Sequence, residues 1–208
     1  MVEHKACTGV ILAGGLNTRF DGRPKALLEV EGERLLDRIG NLFKELFDEI
    51  LLVTNDPVRY LEWGFDIVTD IYDVRSSLTG IHTGLFHASH PFAFFTACDT
   101  PFLKKSVVEA ILEGITDGID VVMPKTDAGY EPLCAAYSTR CLDTVTRHLE
   151  QRRFKIDRVF RKYRIRTISE KVLRRHDPEL ISFFNINAPS DLDRAKARLE
   201  ALRKNMAS

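Results

Sequence analysis

Thr8-Gly9-Val10-Ile11-Leu12 runs straight into Ala13-Gly14-Gly15-Leu16-Asn17-Thr18-Arg19-Phe20-Asp21-Gly22-Arg23-Pro24-Lys25-Ala26-Leu27-Leu28. A short apolar, β-branched run that stops at a glycine pair reads as a buried strand entering a loop. Glycines at such a strand end let consecutive backbone N–H groups come close to an anion, and Arg19, Arg23 and Lys25 add positive charge a few residues on. The loop therefore reads as a phosphate cradle. No Gly-Lys-Ser/Thr follows Gly14 or Gly15 and no G-x-G-x-x-G is present, which disfavours P-loop NTPases and dinucleotide binders. A glycine pair also suits a plain tight turn. The cations ahead of Leu27-Leu28 favour a triphosphate instead.

Outward from this loop, strand-like runs recur at 49–54, 66–69, 92–97, 120–123 and 132–137. Helical patterns lie between most of them, at 34–47, 58–63, 79–88, 105–113, 139–151 and 190–202. Strands too apolar to face water on either side, alternating with helices, predict an α/β fold: a mainly parallel sheet covered by helices on both faces, with ligands at the C-terminal strand ends. No repeat, low-complexity tract or Pro/Gly-rich linker marks a boundary in the 208 residues, so 1–208 reads as a single domain. Residues 152–175 stand apart as a stretch thick with Arg and Lys.

Formal net charge is zero, so the global attraction behind non-specific nucleic-acid binding is missing and any anion needs a local site. Met1 to Thr8 has no long apolar segment and no run approaches a membrane span, which leads us to expect a cytoplasmic protein with neither membrane nor nucleic-acid partner. Cys7, Cys98, Cys134 and Cys141 lack C-x-x-C spacing and paired histidines, and read as reduced, mostly buried thiols.

The apolar run 92–97 ends in Cys98-Asp99-Thr100-Pro101. Pro101 stops the strand, which places Asp99 at the rim where ligands bind. An aspartate is a hard oxygen ligand of the kind Mg²⁺ prefers, although a cap for the next element is the plain alternative. Gly80, near the start of a helix, permits either close approach of a ligand or close helix-to-sheet packing. Asn55 and Asp70 also end strands, where turn residues are common. Asn185 and Asn187, two apart in an extended segment, can offer two amides to one face, or can orient the turn before the last helix.

The motifs resemble those of the molybdenum cofactor guanylyltransferases, whose first motif reads L-A-G-G, then an arginine, a glycine and a lysine; Leu12 to Gly15, Arg19, Gly22 and Lys25 match it. Ala97-Cys98-Asp99-Thr100-Pro101 resembles the family's Mg²⁺ aspartate segment, and Asn185-Ile186-Asn187-Ala188-Pro189-Ser190-Asp191-Leu192 its late N-x-N-T-P-E-D-L. Two departures are Asp21, where a small residue is usual, and Ser76-Ser77, where the family has Gly-Pro.

The resemblance implies a Rossmann-like three-layer αβα sandwich of the nucleotidyltransferase, GT-A-like kind, with a mainly parallel mixed sheet. It implies transfer of GMP from GTP to the terminal phosphate of molybdopterin, with Mg²⁺ as cofactor and pyrophosphate as by-product. Arg19, Lys25 and Asp99 are then catalytic, with Asp99 the metal ligand. Leu12, Ala13, Gly14, Gly15, Lys25, Asn55, Asp70, Gly80 and Asp99 bind nucleotide, while Arg153, Lys155, Asn185 and Asn187 face the acceptor. Such a site leaves room for transient contact with proteins that insert molybdenum or mature molybdoenzymes.

A phosphate monoester is largely dianionic at neutral pH and attacks without a base, so no histidine is required. Positioning and charge cancellation are the demands instead. Guanine specificity rests on Gly14, because relatives that use CTP or UTP tend to read L-A-A-G there. A cytidylyl- or uridylyltransferase acting on another cofactor or sugar phosphate is the nearest alternative. A glycosyltransferase would ordinarily show D-x-D, which Asp99-Thr100-Pro101 lacks, and a catalytically silent nucleotide sensor remains a different class.

Overall fold

The structure, a computed structural model, describes residues 7–14, 20 and 22–206. Among these residues the sheet has eight strands, and four neighbours that run in from one edge are parallel: β5 (Asp66–Val68), β4 (Ile50–Val53), β1 (Cys7–Leu12) and β6 (Phe92–Ala97), in that spatial order. Next to β6 lies β9 (Cys134–Ser138), which runs antiparallel to it, and then β7 (Val121–Thr126) and β10 (Ile165–Ser169), parallel to each other. A two-residue strand, β8 (Gly129–Tyr130), hairpins onto β7. The mixed, mostly parallel sheet agrees with expectation.

The apolar runs are continuous because both sheet faces are buried. Val10, Leu12, Leu51, Val53 and Phe95 point into one core with α2 (Ser77–His87) and α4 (Leu142–Glu150). Ile11, Leu52 and Phe94 alternate into the other with α1 (Leu35–Leu46), α3 (Lys105–Leu112) and α6 (Glu170–His176). Period-two side chains from one strand therefore fill two layers, which makes three layers in all.

Several elements lay outside the sequence expectations. β2 (Glu29–Val30) and β3 (Glu33–Arg34) form a hairpin whose two-residue turn, Glu31-Gly32, has φ of 55° and 78°, the left-handed pair that a tight hairpin needs. β10 and the short α5 (Ile156–Val159) lie inside the basic stretch. Residues 57–63 are helical as expected, but in a 3₁₀ form. A third cluster, with Phe20, Val30, Leu35, Phe102, Ile181 and Ile186, ties the glycine-loop end and the hairpin to the segment ahead of α7 (Pro189–Met206). No helix among the described residues is long and apolar enough to cross a membrane.

Candidate active site

Parallel strands β1, β4, β5 and β6 finish at one edge, and there a cleft of about 670 Å³ opens. It is lined by Leu12, Ala13 and Gly14 after β1, Asn55 after β4, Asp70 after β5, Gly80 and Ser76 at the start of α2, and Cys98 and Asp99 after β6. Pairing continues one residue past the strands: Ala13 N–H donates to Val53 O over 2.9 Å and Cys98 N–H to Leu12 O over 3.0 Å. The loops therefore leave the sheet from rigid ends.

Lys25 enters from the far end of the glycine loop. Pro24 sets an extended φ of −60°, the 3₁₀ turn Lys25–Leu27 follows, and Ala26 is buried, while the lysine chain reaches across. Its Nζ donates to Asp99 Oδ2 and to Asn187 Oδ1, 2.8 Å from each. The ion pair is largely shielded, with side-chain exposures of 21% and 16%, so salt screens it less than a surface pair. Asn187 is held in turn. Ile186 N–H donates to Asp99 O over 2.9 Å, while Asp191 Oδ2 accepts from the backbone N–H groups of both Asn187 and Ala188 at 2.9 Å.

On the opposite wall Asn55 and Asp70 pair with each other. Asn55 Nδ2 donates to Asp70 Oδ2 over 2.9 Å and Asp70 N–H donates to Asn55 Oδ1 over 3.1 Å. Ser76 caps α2, its Oγ accepting from Thr79 N–H at 3.1 Å, so this serine supplies an N-cap where the family has glycine.

Leu12, Ala13, Gly14, Lys25, Asn55, Asp70, Gly80, Asp99 and Asn187 all line the one cleft. Gly15, Arg19 and Asp21 lie outside the described residues. Asn185 does not line the cleft: its Nδ2 turns back to Phe183 O at 3.1 Å, so the two amides do not meet at one site. The buried Ile186 between them packs into the third cluster and leaves only Asn187 facing Lys25. Arg153 and Lys155 are exposed, after α4, and are likewise absent from the lining. Arg75, which the sequence reading passed over, does line the cleft, just before the Ser76 cap; an arginine directly ahead of a helix start was the available signal. Gly80 belongs to both of its expected uses, because it lines the cleft while a Cβ there would sit 3.0 Å from Leu12 Cδ2.

Two neighbouring titratable groups, Cys98 and His82, are buried. Burial pushes the Cys98 thiol up to about 12, so it stays protonated. Burial also holds His82 below the ordinary imidazole value; its Nε2 lies 3.1 Å from Thr146 Oγ1, a packing role. Among the described residues no group of three or more His, Cys, Asp or Glu side chains could hold a metal. Asp99 with Asn187 Oδ1 gives one carboxylate and one neutral oxygen, both now on the Lys25 ammonium. That hard, incomplete oxygen set fits Mg²⁺, which keeps water and substrate phosphate in the rest of its shell.

Residues 9–168 match the model of the MobA-like NTP transferase domain. The chain is 50% identical over 198 residues to the molybdenum cofactor guanylyltransferase of Desulfosudis oleivorans, covering 95% of this chain and 98% of that one. It is 33% identical over 197 residues to a probable molybdenum cofactor guanylyltransferase of Natranaerobius thermophilus, covering 92% and 96%. Its structure is similar to that of the molybdopterin-guanine dinucleotide biosynthesis protein A from Archaeoglobus fulgidus, with a TM-score of 0.81, 29% identity and coverage of 93% and 99%.

Proposed function

Because the chain belongs to the MobA-like NTP transferase family, whose members here are nucleotidyltransferases, we propose that it transfers GMP from GTP to the terminal phosphate of molybdopterin. The observation that carries the reading is the meeting of Lys25, Asp99 and Asn187 through 2.8 Å contacts at the strand ends, in the cleft that Gly14 also lines. The whole chain is taken as one such domain, acting in the cytoplasm.

Catalysis here is positioning and charge cancellation. The acceptor phosphate attacks the α-phosphorus as a dianion, and pyrophosphate leaves. The Gly14 backbone N–H approaches the phosphates, because Gly14 lines the cleft and a Cβ on it would meet no described atom within 4 Å. Lys25 swings from Asp99 to the β- and γ-phosphates and holds the charge that builds on the departing pyrophosphate. Asp99 and the Asn187 amide oxygen are the protein groups that would hold Mg²⁺. When bound, Mg²⁺ supplies charge neutralisation between the α-phosphate and the incoming phosphate. Asp70 and Asn55 face the base or ribose, and Arg153 and Lys155 are retained as acceptor contacts only on the family resemblance.

Incubation with GTP, Mg²⁺ and molybdopterin, followed by mass analysis of the pterin, tests this. A GMP adduct formed with GTP in preference to CTP and UTP supports it. Recovery of unmodified pterin overturns the acceptor, and a preference for CTP overturns the base.

A further inference from the structure

Helix α2 carries a repeated pair one turn apart, Thr79-Gly80 and Thr83-Gly84. Its glycines face the sheet. A Cβ on Gly84 would lie 2.5 Å from Phe95 Cε1 and 2.8 Å from Val10 Cγ1, distances a real side chain does not reach. Only glycine therefore lets the helix lie this close to β1 and β6.

That approach brings Thr83, which is fully buried, beneath the loop that follows β5. Its Oγ1 donates to Asp70 Oδ1 over 2.8 Å, with Thr79 O a second acceptor at 3.0 Å. A hydroxyl has one proton, and the ionised carboxylate is the stronger acceptor. Asp70 Oδ2 meanwhile receives Asn55 Nδ2, and the Asp70 N–H meets Asn55 Oδ1. Held at both oxygens, the carboxylate has one orientation, and the reciprocal bonds to Asn55 settle which end of that amide faces which way. Without the hydroxyl, only Oδ2 keeps its side-chain partner, and the carboxylate can turn about its Cβ–Cγ bond.

We propose that Thr83 is a positioning residue for nucleotide selection: from behind the cleft wall, its buried hydroxyl fixes the Asp70 carboxylate, and through it the Asn55 amide, in the arrangement that meets the nucleotide's donor groups. This rests on reading the cleft as the nucleoside triphosphate site. Each carboxylate oxygen has two lone pairs and spends one inside the protein, so each keeps one for a ligand. The chemistry recognised is a pair of adjacent N–H or O–H donors, which guanine offers at N1 and its 2-amino group and ribose at its 2′ and 3′ hydroxyls. A carboxylate that must be re-ordered on binding weakens ground-state and transition-state binding alike, so the effect falls on KM rather than kcat.

The test compares wild type, Thr83→Val and Thr83→Ser by calorimetric titration with GTP, with ITP, which lacks the 2-amino group, and with 2′-deoxy-GTP, alongside steady-state kinetics and thermal melting. Valine keeps the shape and drops the hydroxyl; serine keeps the hydroxyl. Thr83→Val should weaken GTP binding on the order of tenfold, about 1.4 kcal/mol, raise KM and leave kcat. Its loss should be smaller for whichever analogue lacks the donor that Asp70 reads, and Thr83→Ser should restore binding. Thr83→Ala, which adds no atom, must show the same pattern if Thr83→Val melts early. Unchanged binding, an equal loss on all three nucleotides, failure of serine to restore, or a fall in kcat at constant KM overturns the proposal. A wild-type protein that binds none of the three sinks the nucleotide-site reading itself, a result distinct from any of these.

Discussion

Lys25 Nζ lies 2.8 Å from Asp99 Oδ2, so the cation of the glycine-loop side neutralises the carboxylate that follows β6 in the cleft. A triphosphate entering that cleft competes with Asp99 for the ammonium. Methionine at position 25 keeps the length and loses the charge. Hydrogen bonds to charged groups contribute about 1.5–3 kcal/mol. Lys25→Met should therefore lower kcat/KM for GTP by roughly ten- to a hundredfold, measured as initial rates of pyrophosphate release.

Asparagine at position 99 preserves shape, and the Ile186 N–H bond to the Asp99 carbonyl uses only backbone, so the fold should persist. The negative charge is what disappears. A metal site of the kind proposed for Asp99 contributes several kcal/mol to the transition state, so Asp99→Asn should reduce kcat on the order of a thousandfold with an unchanged melting temperature. Retention of near-native kcat at saturating Mg²⁺ would remove Asp99 from the chemistry.

Gly84 and Gly14 should respond oppositely to one added methyl. At position 84 the methyl collides with Phe95 and Val10 in the core, and overpacking of this kind costs about 1–3 kcal/mol. Gly84→Ala should lower the melting temperature by several degrees. At position 14 the methyl meets no atom of the described residues within 4 Å, so Gly14→Ala should melt like wild type and yet show a raised KM for GTP. A scan of both variants by differential scanning fluorimetry and steady-state kinetics separates the two effects.

The Arg34 guanidinium beside Asp37, and then the Trp63 indole N–H at 2.8 Å, hold the Asp37 carboxyl below the usual carboxylate range. In the unfolded chain it titrates near its ordinary value, about 3.9. The stabilisation is thus complete above about pH 4 and disappears as pH falls through the lower folded value. Asp37→Asn should be less stable than wild type at neutral pH, and the gap should close in strong acid. Trp63 is the chain's single tryptophan and packs under Arg34, 4.2 Å from ring centroid to guanidinium carbon, so its emission reports the transition directly.

Much of the architecture was legible because it is local. Buried strands at 7–12, 50–53 and 92–97 read as apolar runs with turn residues behind them, and the glycine loop and Asp99 sit at ends that the pattern marks. β10 was not legible: Ile165 and Arg166 are exposed and only Ile168 of the strand is buried, the signature of an edge strand in a charged stretch. Nor was the reversed direction of β9, since a short buried run carries no sign of its orientation. The bond between Asn55 and Asp70 spans two adjacent strand ends, and Thr83 lies behind both; spacing along the chain reports neither. Asn185 and Asn187 fit an extended dipeptide repeat until the backbone turns Asn185 onto Phe183 O.

Asn187 reaches Lys25 from beyond residues 9–168, which are the part of the chain that the family model spans. During synthesis the central strands emerge from the ribosome well before the segment that docks on Asp99 through Ile186. A nascent chain stalled after β10 would then carry the sheet and the lysine–aspartate pair with one side of the pocket unbuilt, so competence for transfer should arrive late in translation, as a final act of closure by the emerging carboxyl-terminal segment.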